Sequence, residues 1–178
     1  HLVSKEAFNI DGLGKKVIEQ LWDLNLVKKP SDIFNLDFKK IEKLEGWGSL
    51  SISNLKTAIE KSKNTSLDKF IYSIGIRHIG QENAKILAAF FISIEEFSEL
   101  FIDNKRKLIL NNLVELDGIG LTQLNSIENF FSNEKNKKII VELINYLKIT
   151  NFSIKNKKGK FANKKLMFTG GFQKMSRS

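Results

Sequence analysis

Apolar and polar residues are arranged along this chain with the spacing of amphipathic helices. Four pairs of apolar residues lie three positions apart, which marks one face of a helix in each case. These pairs are Ile18 and Leu21, Ile52 and Leu55, Ala84 and Leu87, and Leu124 and Ile127. Two more apolar stripes, one over Phe34, Phe38, Ile41 and Leu44 and one over Ile139, Ile140, Leu143, Ile144 and Leu147 after Asn133, predict further buried helical faces. No alternating strand pattern appears before residue 150, so the pattern predicts an all-α body.

A five-residue segment that reads apolar, polar, glycine, apolar, glycine stands just before each of the four helical pairs. The segments are residues 10–14, 44–48, 76–80 and 116–120, and their last glycines are 34, 32 and 40 residues apart. The third segment departs from the pattern, because His78 occupies its first glycine position. Another apolar helical segment precedes each one, at residues 4–8, 38–44, 67–74 and 105–113. The repeating unit is therefore a helix, a tight glycine turn and a second helix.

This unit resembles the helix-hairpin-helix motif, and four copies resemble two fused pseudo-twofold pairs of the kind found in DNA repair and joining proteins. A glycine turn lets the backbone approach a phosphodiester closely, and the free amides of the following helix form a small anion site. Two such hairpins would contact both strands across the minor groove, by shape and phosphate spacing more than by reading bases. The candidate DNA-binding residues are Gly12, Gly14, Lys15, Lys16, Gly46, Gly48, Ser49, Ser51, Arg77, Gly80, Gly118, Gly120 and Thr122.

The four turns are unequal candidates, and several residues near them have structural interpretations. The third turn fits phosphate least, because Glu82 follows it, although Arg77 offers compensation. Asp11, Glu45 and Asp117 are expected to cap helices rather than to catalyse. We expect Trp22 to be buried, and packing is favoured over contact with a nucleic acid or partner for Trp47. For His78 a loop-packing or hydrogen-bonding role is favoured over catalysis.

Net charge is concentrated at one end of the chain. Of the net charge of +9, residues 151–178 supply +8 and contain no acid, so nine minus eight leaves +1 for residues 1–150. The lysine-rich stretch 155–165 is interpreted as a solvated linker, with non-specific help in duplex binding as the alternative. A body so close to neutral must hold DNA through placed amides and a few cations.

Composition excludes several other classes of function. There is no cysteine and there are only two histidines, so a disulfide, a thiolate nucleophile or a metal site within this chain is not expected. The longest apolar run, residues 86–92, falls far short of the roughly 20 residues of a membrane helix. We expect a soluble intracellular protein, and the opening His1 suggests a piece of a longer one.

The flanking sequences narrow the resemblance to one family. Residues 1–14, His-Leu-Val-Ser-Lys-Glu-Ala leading to Ile-Asp-Gly-Leu-Gly, resemble bacterial NAD-dependent DNA ligases just after their zinc finger. Residues 75–80 resemble the third hairpin of that family, and residues 164–177 the first strand and loop of its C-terminal BRCT domain. The implied organisation is a helix-hairpin-helix DNA-binding domain at 1–150, a basic linker at 151–160 and a truncated BRCT domain at 161–178, whose first β-strand lacks partners.

By that resemblance, the parent enzyme seals nicks in duplex DNA during replication and repair, in the bacterial cytoplasm. NAD, magnesium and zinc are implied for the parent enzyme and none for this chain, together with adenylation, OB and zinc-finger domains upstream. The family's Lys-x-Asp-Gly nucleophile motif is missing, since Asp11-Gly12 and Asp117-Gly118 lack the lysine, so no catalytic residue is expected here. The alternatives are a tandem helix-hairpin-helix module of another DNA repair protein and a protein-interaction scaffold.

Overall fold

Helices form most of the part of the chain that the computed structural model describes, residues 1–153. The α-helices of this part are α1 (Lys15–Asp23), α2 (Phe38–Ile41), α3 (Ser49–Ser62), α4 (Leu67–Ser73), α5 (Gln81–Phe91), α6 (Ile94–Ser98), α7 (Asp103–Leu113), α8 (Leu121–Phe131) and α9 (Glu134–Ile144). Two 3₁₀ helices cover Pro30–Asn35 and Glu99–Phe101. The predicted linker beyond residue 153 and the predicted BRCT portion, 161–178, lie outside the described residues.

Helix starts follow local sequence signals. Gly14, Gly48, Gly80 and Gly120 are the residues immediately before α1, α3, α5 and α8. Elsewhere polar side chains accept hydrogen bonds from free amides of the first turn: Ser93 Oγ accepts from the amide of Glu96, and Asn133 Oδ1 from that of Lys135. The predicted start of α9 after Asn133 is thereby confirmed.

The buried apolar side chains form one hydrophobic core, whose members come from all parts of the chain between Phe8 and Leu143. At its centre Phe97 packs edge to face against Phe70, Phe91 and Phe131, with ring centroids 6.3, 5.2 and 5.5 Å away. Chain beyond α9 also joins this core, because Ile149 and Phe152 are partly buried against it. The predicted helix faces are confirmed here, since Leu21, Leu55, Leu87 and Ile127 are each no more than 1% exposed.

The absence of strands before residue 150 is a wrong prediction. Strand β1 (Asn64–Ser66) pairs in parallel with β2 (Lys148–Thr150), with Asn64 opposite Lys148 and Ser66 opposite Thr150. Three residues are too few to display the period-two alternation by which a strand is recognised in a sequence. The small sheet connects the chain between α3 and α4 to the chain after α9.

Several predicted helical segments are shorter than expected. Residues 4–8 form turns rather than a helix, with the carbonyl of Ser4 accepting from the amides of both Ala7 and Asn9. So short a segment forms too few helical hydrogen bonds to offset the cost of helix nucleation. Segment 38–44 is helical only over α2, and Leu147 lies beyond the end of α9. The capping-box spacing of Ser93 and Glu96 predicts a helix over 94–101, but the chain becomes 3₁₀ after Ser98.

Trp22 is 57% exposed, so its predicted burial is wrong. Its neighbour Leu21 occupies the inward position on α1, and successive residues of a helix point about 100° apart. By contrast, Arg106 on α7 is only 3% exposed, which nothing in the apolar pattern indicates. Within the described residues, no helix is both long and apolar enough to cross a membrane.

Candidate nucleic-acid interface

The four glycine-containing segments adopt the same tight turn. In each one the amide of the fourth residue donates to the carbonyl of the first, over N···O distances of 3.1–3.3 Å. The third residue has a positive φ in every case: +91° at Gly12, +84° at Gly46, +60° at His78 and +92° at Gly118. A left-handed conformation costs a non-glycine residue about 1–2 kcal/mol, so glycine is favoured there and His78 is strained. The turns are numbered 1 to 4 in chain order below.

The last glycine of each turn has a different role from the middle one. Gly14 and Gly48 have negative φ, and a Cβ added to either would meet no atom within 4 Å. Nothing in the folded chain therefore requires glycine at these two positions. A methyl group at Gly14 or Gly48 would instead obstruct the approach of another molecule to the first amides of α1 and α3.

Turn 1 and turn 2 pack on each other's helices. A Cβ added at Gly12 would lie 3.6 Å from Leu55 on α3, so turn 1 lies against the helix that follows turn 2. Conversely, the indole N–H of Trp47 in turn 2 donates to Gln20 on α1 over 3.4 Å. An open cleft of about 520 Å³ between them is lined by both turns, together with Val17 of α1 and Ser51 of α3. Packing, the favoured role for Trp47, is confirmed.

Turn 3 and turn 4 show the same reciprocal contacts. His78 of turn 3 hydrogen-bonds through Nδ1 to Ser126 Oγ on α8, at 3.1 Å, which confirms its structural role. Asn83 on α5 donates from its side-chain amide to the carbonyl of Gly118 in turn 4, at 2.8 Å. Ile86 on α5 also lies against turn 4, because its Cδ1 would be only 2.7 Å from a Cβ at Gly118.

The turns differ in whether their terminal glycine amide is free. The amides of Gly80 and Gly120 donate to Asn83 Oδ1 and Gln123 Oε1, three residues ahead, at 3.3 and 3.1 Å. In turns 1 and 2 the corresponding positions hold Val17 and Ser51, and within residues 1–153 the amides of Gly14 and Gly48 have no hydrogen-bond partner. Turns 1 and 2 are thus the better anion sites, since their donors remain open to a ligand.

Charges at the helix starts support the same ranking. Lys15 and Lys16 are exposed at the start of α1, and α1, α3 and α8 have no acid in their first turn. Ser49 and Ser51 on α3 and Thr122 on α8 are exposed as well, so their hydroxyls are accessible. In contrast, α5 carries Glu82 in its first turn, and the Glu82 carboxylate lies 2.6 Å from Lys85 Nζ. Arg77, in the turn before α5, is exposed.

The expected capping role of Asp11, Glu45 and Asp117 is not what the structure shows. The residues before α1, α3 and α8 are glycines, and in the described part of the chain no hydrogen bond involves any of the three carboxylates. Each acid is exposed and stands three residues before the glycine that precedes its helix, too early to reach the amides of the first helical turn.

Two exposed leucines at the turns were not among the sequence candidates. Leu50, the second residue of α3, and Leu121, the first of α8, are each 73% exposed. Leu50 lies off the stripe of Ile52, Leu55 and Ile59, and this mismatch is a signal that the sequence already contained. Leu121 is in phase with Leu124 but projects past the end of the core, which periodicity alone does not reveal.

Comparison with known protein families first defines the class of motif that the chain contains. Residues 69–140 match the family described as "Helix-hairpin-helix motif", and this range contains turns 3 and 4, all of α5, α7 and α8, and most of α4. The fold and the match together place a helix-hairpin-helix motif in a mostly helical chain, which confirms the coarse outline of the predicted fold.

The relatives are more specific than the motif. The whole chain is 48% identical to a DNA ligase of Pelagibacter ubique and 42% identical to one of Rickettsia bellii, and 99% of it is 41% identical to one of Wolbachia pipientis. The chain spans only about a quarter of the length of these relatives, 26% to 27%. The predicted resemblance is confirmed: this chain is similar from end to end to a segment of DNA ligases.

Proposed function

We propose that this chain binds duplex DNA, without sequence preference and around a nick, as part of a bacterial NAD-dependent DNA ligase. The four turns act as four hairpins in two pairs, turn 1 with turn 2 and turn 3 with turn 4. The similarity to DNA ligases and the helix-hairpin-helix match support the class of function. The remaining steps rest on the geometry of the turns.

The observation that carries the proposal is the pair of open amides at Gly14 and Gly48. Both precede helices that lack acids in the first turn, and the helix dipole adds partial positive charge at the same place. A phosphodiester oxygen fits such a site without a cationic side chain, which explains how a nearly neutral body holds a polyanion. Lys15 and Lys16 add two exposed cations at the start of α1, where Lys15 Nζ lies 3.8 Å from Glu19 Oε1.

The reciprocal packing of the turns supports binding across a groove. Turn 1 lies on the helix after turn 2 and turn 2 on the helix after turn 1, and these reciprocal contacts support an approximate twofold relation between the two anion sites. The two strands of a duplex are also related by twofold axes. Each pair therefore presents one hairpin to a phosphate of each strand across the minor groove, with the groove's shape rather than its bases recognised.

No chemical step of ligation is assigned to this chain. Within the described residues, no three side chains of histidine, aspartate or glutamate lie close enough together to hold a metal ion. We propose that NAD, magnesium and zinc are held by other parts of a longer protein, in adenylation, OB and zinc-finger domains that work with this chain in the bacterial cytoplasm.

The test uses Gly14→Ala and Gly48→Ala, separately and together, in the whole chain. Nicked and intact fluorescent duplexes are titrated at several salt concentrations and followed by anisotropy. Because neither Cβ would meet an atom of the protein within 4 Å, folding stability falls by no more than about 1 kcal/mol, from the preference for glycine over alanine before a helix. Duplex affinity falls about tenfold for each site. Wild-type binding that does not weaken with salt would favour the interaction-scaffold alternative instead.

A lysine pair provides the matched control. Removing Lys15 and Lys16 should lower the slope of log affinity against log salt by nearly two, because two phosphate contacts are lost. Removing Lys135 and Lys138, two exposed lysines of α9, removes the same charge away from the turns and should leave most of the slope in place. Equal losses from both pairs would mean that affinity comes from overall charge, and the hairpin mechanism would be wrong.

A further inference from the structure

Leu50 and Leu121 are the most exposed large apolar side chains of the described residues, at 73% each. Single exposed leucines are common on protein surfaces and mean little by themselves. These two share a location, however: each lies within two residues of the last glycine of a turn, Leu50 after Gly48 and Leu121 after Gly120. One belongs to each reciprocal pair of turns.

We propose that Leu50 and Leu121 press against the deoxyribose edges of the minor groove, so that one apolar contact lies beside turn 2 and one beside turn 4. This inference rests on the proposed DNA-binding function and adds a second kind of contact to it. If the amides after Gly48 hold a phosphate, a side chain in the first turn of α3 faces the sugar attached to that phosphate. The sugars supply the apolar surface that lines the walls of the groove.

The surroundings of the two leucines favour a duplex over an apolar pocket on a protein partner. Leu50 stands between Ser49 and Ser51, and Leu121 between Gly120 and Thr122, all of them exposed. A protein partner that buries a hydrophobic anchor usually meets a wider apolar patch around it. A lone leucine flanked by hydroxyls and backbone donors instead matches a surface where apolar sugars alternate with phosphates.

The pairs divide these contacts between their two turns. In the first pair, turn 1 is followed by Lys15 and Lys16 and turn 2 by Leu50. In the second pair, Gln81 and Glu82 follow turn 3 and Leu121 follows turn 4. Contacts between lysines and phosphates are thus made mainly at turn 1, to one strand of the duplex. Turns 2 and 4 add apolar contacts that do not involve charge. Such contacts resist salt, which weakens phosphate binding alone.

The experiment measures affinity and salt dependence separately for Leu50→Ala, Leu121→Ala and the double variant, in the whole chain and with a nicked duplex. Burying a leucine side chain in part accounts for roughly a three- to tenfold gain in affinity. Each single variant is therefore expected to bind about three- to tenfold more weakly at every salt concentration, with an unchanged slope. The double variant should show the product of the two losses.

Leu108→Ala is the matched control, because Leu108 on α7 is 66% exposed but lies outside the four turns. It should bind as the wild type does, and all variants should keep the wild-type melting temperature. The inference is overturned if Leu50→Ala and Leu121→Ala bind like Leu108→Ala, or if their loss comes with a lower salt slope. A wild-type chain that fails to bind duplex at all would instead refute the proposed function itself.

Discussion

Replacing Arg106 by alanine should destabilise this protein more than any surface substitution. The guanidinium lies almost fully buried between α7 and α8, the two helices on either side of turn 4. It donates to the carbonyls of Leu100 and Phe131 at 3.0 and 3.4 Å and to both carboxylate oxygens of Glu128 at 3.1 and 3.3 Å. Burial opposes its charge, but the hydrogen bonds that the guanidinium donates to Glu128 and Asp103 outweigh that cost, and the pKa of Arg106 is raised above its ordinary value.

The magnitude comes mostly from the two carbonyls. A hydrogen bond that involves a charged group contributes about 1.5–3 kcal/mol, and the longer bond to Phe131 lies at the weak end of that range. The carboxylates add less, because Glu128 is 38% and Asp103 74% exposed, and water solvates both once the guanidinium is gone. We expect Arg106→Ala to lower the free energy of unfolding by about 3 kcal/mol, which is roughly 6–12 °C in melting temperature for a chain of this size.

Urea denaturation followed by circular dichroism measures this loss, with two comparison variants. Lys107→Ala changes the adjacent exposed residue of the same helix and should cost under about 0.5 kcal/mol. Glu128→Gln keeps an acceptor for the guanidinium and should cost about 1 kcal/mol or less. An Arg106→Ala chain within about 1 kcal/mol of the wild type would show that the buried hydrogen bonds do not stabilise α7 against α8.

Two further predictions concern turn 4 and acid stability. Gly118→Ala forces a methyl group into a left-handed backbone and to 2.7 Å from Ile86 Cδ1, so it should cost about 1–3 kcal/mol in urea denaturation, and less when Ile86 is also alanine. If Gly14→Ala cost as much, the distinction between the glycines with positive φ and the last glycines of the turns would be wrong. The pKa of Asp103 is held below its ordinary value, chiefly by its hydrogen bond with Arg106 and then by that residue's charge. Ionised Asp103 therefore stabilises the fold at pH values above the ordinary pKa of an aspartate, and the wild type's advantage over Asp103→Asn, followed by thermal melting across pH, should vanish as the pH falls through the lowered pKa.

The four turns could be predicted from the sequence because glycine is the residue that tolerates their geometry at little cost. Gly12, Gly46 and Gly118 have positive φ, so the residue type at these positions accounts for the turn without any distant contact. His78 adopts the same conformation without glycine, held by its bond to Ser126 on α8, a contact 48 residues away that no local pattern contains.

The features that escaped prediction depend on tertiary contacts. Arg106 is buried because α7, α8 and the carbonyl of Leu100 surround it, although an arginine in a polar helix resembles a surface residue. Strands β1 and β2 exist only as partners of each other, more than 80 residues apart in the chain. The occupied amides of Gly80 and Gly120 could have been predicted from the sequence. Asn83 and Gln123 stand three residues after these glycines, where a side chain can accept a hydrogen bond from the glycine amide.

The parallel pairing of β1 with β2 determines where tension applied through the chain after α9 enters the folded body. The amide of Phe152 donates to the carbonyl of Ile92 at 2.8 Å, and the amide of Lys148 to that of Lys63 at 2.7 Å. A pull transmitted along this chain therefore loads the Phe152 bond first and then the β1 ladder. Since β1 connects α3 to α4, that load arrives in the chain between the first pair of turns and the second.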